Sequence, residues 1–156
     1  MAYIYPAPGN AISQVTLNLK LTGDSNGLDV PALRDVTLNA SNDVFTWTSL
    51  DSASKQQVAT TATNSLSMNI VLDQLTFFGD SAATSEDAQT AGIFGLSNDK
   101  NLVDFELFMG DESDGSTGKT ISGKGYITGL APTVSADSPV WVSPITITVT
   151  GDYTVV

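Results

Sequence analysis

Strict two-residue alternation of apolar and polar side chains recurs along this chain and constrains its fold more than any other feature. The alternation is clearest in residues 14–22 (QVTLNLKLT), 66–72 (LSMNIVL) and 102–109 (LVDFELFM). Successive side chains of a strand point to opposite faces, so each segment predicts a strand with one buried and one exposed face. Half-buried strands at regular spacing predict a mainly β fold, either a β-sandwich or a partly closed barrel.

Residues 140–156 (VWVSPITITVTGDYTVV) predict the last strand. Its apolar set is Ile145, Ile147 and Val149, and its opposite face carries Thr146, Thr148 and Thr150. Thr favours strands but has no charge to prevent pairing with another chain. Two interpretations are open: a sheet edge left free for a neighbouring copy, or a Thr face that contacts water. Ser143 and Pro144 interrupt the alternation and leave the register of this strand open.

Two internal segments depart from the strand pattern. Residues 85–96 (SEDAQTAGIFGL) predict one short α-helix, with Ser85 as N-cap and acidic residues in the first turn. Residues 39–64 are rich in Ser and Thr and predict a long hairpin or loop, which we expect to be mobile in the free chain. Phe45 and Trp47 share one face of it, either as core residues or as a contact surface.

The chain begins with a proline-containing segment that we expect to be an extended arm, residues 1–13, on a single domain spanning residues 1–156. Tyr3 and Tyr5 lie in this arm, which either frays or docks on a partner. The arm has no basic residue, and the chain has no apolar run of about 18 residues. We therefore expect neither a secretory signal nor a membrane helix. We expect the chain to be made for use in the cytoplasm as translated.

Composition excludes several classes of function. The net charge of −11, from 17 acidic and 6 basic residues, argues against tight binding of nucleic acid. The absence of Cys and His removes thiolate and imidazole chemistry and their metal sites. Residues 110–122 fail the calcium-loop pattern and lack the first Gly of a phosphate loop. The carboxylates of Asp104 and Glu106 share a strand face, as acids often do by chance. We assign no catalytic, cofactor or metal-binding residue and expect no enzyme.

The last third of the chain resembles a known family. Residues 123–132 (GKGYITGLAP), followed by residues 145–153 (ITITVTGDY), resemble the C-terminal hairpin of tailed-bacteriophage major tail tube proteins. The matching positions are 125–130 and 145–151, and the likeness is clear over residues 119–156. Asp152 and Tyr153 stand where the family usually has a second Gly.

This resemblance implies a β-sandwich subunit whose sheet joins those of neighbouring copies in a ring, commonly a hexamer. Stacked rings would form the hollow tube of a virion tail, through which genomic DNA passes without tight binding, after synthesis in the host cytoplasm. Further implied partners are tape-measure, tail terminator and baseplate or tip proteins, and no membrane is involved. A negative lumen fits this picture because it repels DNA.

The hypothetical interface residues follow from this resemblance. For contacts between rings they are Tyr3, Tyr5, Phe45, Trp47 and Lys55. For a ring edge strand they are Ile145, Thr146, Ile147, Thr148, Val149 and Thr150. The alternatives are another virion β-sandwich, such as a capsid decoration or tail terminator protein, and a carbohydrate-binding or adhesin module. Exposed coplanar aromatic rings among Trp47, Trp141 and Tyr126 would favour the carbohydrate-binding module.

Overall fold

The computed structural model of the chain describes residues 15–30, 33–51, 53–79, 87–110 and 118–156. Antiparallel pairing joins all the described strands into one open sheet. The strands are β1 (Val15–Leu21), β2 (Gly27–Asp29), β3 (Leu33–Trp47), β4 (Gln56–Val71), β5 (Val103–Gly110), β6 (Gly118–Leu130), β7 (Thr133–Ser135) and β8 (Ser138–Val155). Their order across the sheet is β2-β1-β5-β6-β8-β4-β3, and β7 pairs with β8 beside this path. The expectation of a mainly β fold is confirmed.

The alternating segments bury their apolar faces as predicted. Within β1, β4 and β5 the buried residues recur at every second position: Leu17, Leu19, Leu66, Met68, Ile70, Val103, Phe105 and Leu107. Cross-strand register places these side chains opposite one another, for example Leu19 opposite Phe105. One face of the sheet therefore carries the hydrophobic core, and the other face carries polar side chains.

The last strand is internal rather than at the edge. The predicted ring edge strand consists of Ile145, Thr146, Ile147, Thr148, Val149 and Thr150. Residues 145–148 pair with β4 on one side and β6 on the other, so the prediction of an edge is wrong for them. Val149 and Thr150 pair with β6 alone. Pro144 does not interrupt the strand, because it lies beyond the last β6 pair and is matched only by Asn69 of β4.

The two faces of β8 divide as the alternation predicts. Ile145 and Ile147 are buried in the core, whereas Thr148 is exposed. The hydroxyl of Thr148 lies 2.9 Å from the hydroxyl of Thr128 on β6, within hydrogen-bonding distance. The uncharged Thr face of residues 145–148 is thus the outward-facing surface of the strand, because the alternate residues Ile145 and Ile147 point into the core.

Two helices lie among the described residues, α1 (Gln74–Phe78) and α2 (Ala88–Asn98). Helix α2 confirms the predicted helix, but its N-cap is Asp87 rather than Ser85, which lies outside the described residues. The Asp87 carboxylate accepts the backbone N–H of Thr90 at 2.7 Å. The α1 helix was not predicted, because its five residues are too few to show helical periodicity. Helix α2 packs against β1, β2 and β6, and α1 packs against α2.

The predicted hairpin at residues 39–64 is present as the distal half of the β3–β4 pair. Register runs from Leu33 opposite Ile70 to Trp47 opposite Gln56. A register shift near Asn42 places two residues of β4 opposite one residue of β3. The hydroxyls of Thr60 and Thr61 both donate to Asp43 at this bulge, at 3.1 and 3.2 Å. The bulge is therefore held by side-chain hydrogen bonds.

Candidate assembly surfaces

A β-hairpin projects from the body of the sheet without cover from the rest of the described chain. Every described residue from 39 to 63 is exposed, apart from the half-buried Ser49. We call residues 39–63 the finger. The rise per strand residue gives its β3 half, Asn39 to Trp47, a length of roughly 27 Å. Beyond the pair Ser65 and Thr148, β3 is the only described strand that pairs with β4, so the finger is a two-stranded ribbon among the described residues.

Apolar side chains are concentrated near the tip of the finger. Phe45 is 58 % exposed and Trp47 is 42 % exposed. Their rings stack with centroids 5.8 Å apart and planes 23° from parallel. Val58 is the cross-strand partner of Phe45, and Leu50 in the turn is fully exposed. Within the described part of the chain the aromatic pair has no core role, and a contact surface is the interpretation that the exposure supports.

The finger tip is poor in charge. Lys55 is exposed and immediately precedes Gln56, the cross-strand partner of Trp47. In the sequence, Lys55 is the only basic residue between Arg34 and Lys100. A hydrogen bond from Ser49 lowers the pKa of the Asp51 carboxyl below its ordinary value, so Asp51 stays ionised beside the tip. The tip thus presents aromatic rings with one carboxylate and one cation nearby.

A second apolar surface lies on the two helices. Leu75 is 63 %, Phe78 45 % and Phe94 42 % exposed. The ring centroids of Phe78 and Phe94 are 5.7 Å apart, and both rings contact the buried Phe77, at 4.9 and 6.2 Å. We call Leu75, Phe78 and Phe94 the helix patch. The sequence reasoning missed it, although the adjacent aromatics at positions 77 and 78 could have indicated it, since neighbouring helix positions face different directions.

Two glycines bring the helices close enough to form this patch. Gly79 ends α1 with a φ of 72°, and Gly92 kinks α2 with a φ of 65°. A Cβ on Gly79 would lie 2.7 Å from the backbone nitrogen of Gly92, closer than side chains tolerate. Both positions therefore require glycine for the left-handed backbone and for the close approach of the two chains.

The remaining exposed aromatics do not form one platform. Tyr126 lies opposite Thr148 in the middle of the sheet, and Trp141 lies near the other end of β8. Seven strand residues separate Trp141 from Thr148, or about 23 Å at the usual rise per residue. Trp47 is at the finger tip. The three residues named for sugar stacking are thus dispersed, which disfavours a single carbohydrate-binding surface.

The sheet face opposite the core is polar and carries opposite charges in pairs. Lys20 lies 3.7 Å from Glu106, and Lys124 lies 3.9 Å from Asp104. Exposed ion pairs of this kind contribute little stability. Asp104 and Glu106 are therefore held in surface ion pairs. The described ranges contain no group of three or more acidic, His or Cys side chains placed to hold a metal ion.

The remaining predicted site residues lie apart from these surfaces or outside the described residues. Tyr3 and Tyr5, with the whole expected arm at residues 1–13, are outside the described ranges. Within those ranges, no helix combines the length and the apolar character that crossing a bilayer requires.

Comparison with known proteins identifies the fold. No family model matches the chain, and no curated protein matches its sequence. Solved structures do match, among them chains from the tail of a gene transfer agent particle, the SPP1 tail tube and an extracellular contractile injection system. The sheet with its finger and helices is thus a tail tube fold, which confirms at the level of the fold the resemblance at residues 119–156.

Three of these structures show the extent of the likeness. A chain from the tail of an empty gene transfer agent particle, determined with C6 symmetry, has a TM-score of 0.63 at 16% identity, over 94% of this chain and 98% of that chain. The SPP1 tail tube has a TM-score of 0.62 at 10% identity, over 91% and 77%. A chain from the tube-terminating cap of the anti-feeding prophage has a TM-score of 0.59 at 15% identity, over 100% and 94%.

Proposed function

We propose that this chain is a structural subunit of a virion tail tube, which acts by self-assembly into stacked rings rather than by catalysis. The observation that carries the proposal is the finger, an exposed hairpin with stacked aromatic rings on a tail tube fold. A two-stranded ribbon on its own is marginally stable in water. A finger of this length with apolar residues at its tip gains stability when a second copy covers it.

The open ends of the sheet supply the contacts within a ring. The sheet ends at β2 on one side and at β3 on the other, so a chain that joins β3 to the β2 end of the next copy makes a head-to-tail interface. Such interfaces close into rings when the rotation between copies allows it. Strand β3 has few charges to oppose such pairing: Arg34, Asp35 and Asp43 are its only charged residues.

This arrangement replaces the predicted role of residues 145–150. Only Val149 and Thr150, which have β6 as their single strand partner, still offer backbone groups on the side facing β4. The ring would form through β3 and β2, and the outward Thr side chains of β8 would line a surface of the assembly.

The charge of the chain suits the passage of DNA. The net charge of −11 gives a tube of many copies a strongly negative wall. Because a DNA-binding surface needs clustered Lys and Arg, such a wall repels the phosphate backbone and holds no segment of it. We propose that DNA passes through the lumen without tight binding.

A tube-terminating subunit is the second candidate, because a chain of the anti-feeding prophage tube-terminating cap has the same fold. A terminator caps a tube and does not polymerise alone. The ability of the isolated chain to grow thus distinguishes the two functions.

The experiment is to concentrate the purified chain and to follow light scattering and negative-stain images together. The tube proposal predicts hollow filaments above a critical concentration. A matched variant, in which a short Asn-Gly turn joins residue 41 to residue 63, should stay a folded particle that forms no filaments. Wild-type protein that stays monomeric at every concentration, or that forms only a single closed ring, would contradict the tube proposal and favour the terminator.

A further inference from the structure

The finger and the helix patch are two exposed apolar surfaces in different parts of one subunit. The finger extends from β3 and β4 at one end of the sheet order, whereas α2 packs against β1, β2 and β6 toward the other end. If copies join in sequence from the β3 end to the β2 end, strand β3 of one copy, which forms half of its finger, lies beside strand β2 of the next copy, which α2 contacts. Each surface could then cover the other.

The two surfaces match in size and in chemistry. The finger offers a stacked pair, Phe45 and Trp47, with centroids 5.8 Å apart. The helix patch offers Phe78 and Phe94, with centroids 5.7 Å apart and planes inclined at 49°. Aromatic rings favour offset or edge-to-face contact at centroid distances of about 4.5–7 Å. The centroid spacing within each pair lies in this range, so the rings of one pair match the rings of the other in spacing.

One local charge contact fits the same pairing, although Asp43 and Asp51 give the finger as a whole a net charge of −1. The segment from Asp73 to Asp99, which contains both helices, carries five acidic residues and no basic residue. The carboxylates of Asp73 and Asp87 cap α1 and α2 and so lie at the helix starts. Lys55 is the single cation of the finger and is the charged residue next to Gln56, the cross-strand partner of Trp47. A finger seated on the patch would bring this cation toward an acidic rim.

We infer that the finger of one copy docks on the helix patch of a second copy, with Phe45 and Trp47 against Leu75, Phe78 and Phe94. This inference rests on the proposed function, since it names the surface that receives the finger. The contact is heterologous: each copy gives one finger and receives another. Heterologous contacts of this kind propagate through an assembly without forming closed pairs.

Two complementary variants test the inference. The donor-blocked variant carries Phe45→Ser and Trp47→Ser, and the acceptor-blocked variant carries Leu75→Ser and Phe78→Ser. Each variant alone should form no tube. When the two variants are prepared separately and then mixed, they should form a product that contains both in equal amounts and has twice the mass of either alone, whether each variant is a monomer or a closed ring. An intact finger then meets an intact patch only between the two variants. Analytical ultracentrifugation and mass photometry measure this doubling.

The controls distinguish a loss of docking from a loss of fold and from a failure of the proposed tube function. Trp141→Ser, which changes an exposed aromatic residue outside both surfaces, should assemble as the wild type does. Leu75→Ser alone changes only the most exposed member of the patch, so it should disturb the fold least. Circular dichroism monitors the fold of each variant. Lys55→Glu should weaken assembly more than Lys119→Glu, which changes the net charge equally, and added salt should reduce the difference.

The outcomes are distinct. Wild-type tubes together with normal tubes from the acceptor-blocked variant would overturn the docking inference and leave the tube function standing. A mixture that shows no doubling of mass, although both variants are folded, would also overturn the inference. A wild-type chain that never assembles would overturn both.

Discussion

The aromatic residues of the finger should control assembly without affecting the fold of the subunit. Phe45 keeps 58 % of its surface exposed, which is roughly 120 Å² of a ring side chain of about 200 Å². At about 25 cal/mol per Å², covering that area in an interface contributes about 2 to 3 kcal/mol once the Cβ that Ala retains is allowed for. The costs of ordering the partners are shared by both variants and cancel in their comparison. Phe45→Ala should therefore raise the critical concentration for assembly roughly 30- to 150-fold.

The assay is sedimentation of tubes at a series of total protein concentrations, in which the protein left in the supernatant gives the critical concentration. Thermal unfolding of the unassembled chain should change little, since an exposed side chain contributes about 0.5 kcal/mol or less to its stability. Trp141→Ala is the matched control, because Trp141 is also an exposed aromatic residue, at 53 %, but lies outside the finger and the helix patch.

The reasoning would be refuted by a Phe45→Ala chain whose critical concentration lies within about threefold of the wild-type value. It would also be refuted by a loss of assembly that accompanied an equal loss of stability in the unassembled chain, because the finger would then act through the fold.

Three further predictions follow from the same structure. Amides of residues 39–63 should exchange rapidly in the free chain and slowly in the assembly, since a two-stranded ribbon opens easily; strong protection in the free chain would contradict this. Gly92→Ala should lower the melting temperature by at least about 5 °C, because the φ of 65° and a Cβ 2.7 Å from a carbonyl oxygen of α1 strain the backbone. Gly129→Ala should be nearly neutral, because a Cβ there would make ordinary contacts. Asp87 has a pKa below its ordinary value because its carboxylate accepts backbone N–H bonds, so its contribution to stability is complete above the unfolded pKa and is lost as pH falls through the folded pKa. Asp87→Asn should therefore show a smaller drop in melting temperature between about pH 5 and pH 2 than the wild type does. Equal drops in the two proteins would exclude this role.

Much of the sheet could be predicted because period-two alternation is a local signal. Strands β1 and β5 agree with the sequence prediction to within about one residue at each end, and the faces of β8 were assigned correctly. The position of β8 in the sheet could not be predicted in this way, since it depends on partners far away in the sequence. The segment at residues 145–148 has the composition of an open edge but lies between β4 and β6.

The assembly surfaces could be predicted only in part. Phe45 and Trp47 were recognisable as a pair on one strand face, but only the structure shows that no other part of the described chain buries them. The helix patch depends on two glycines that allow α1 and α2 to approach, a tertiary contact that no periodicity reveals. The N-cap of α2 was placed two residues too early, because both Ser85 and Asp87 are favoured capping residues and the choice depends on the helix start.

The central claim is that this chain builds a tube by passing a finger from each copy to another. Cryo-electron microscopy of the assembled wild-type chain tests it most directly. The account predicts a hollow tube of stacked rings, with density for residues 39–63 of each subunit resting on Leu75, Phe78 and Phe94 of a different subunit. A solid filament, or a tube in which every finger lies free in solvent or folds back on its own subunit, would contradict it.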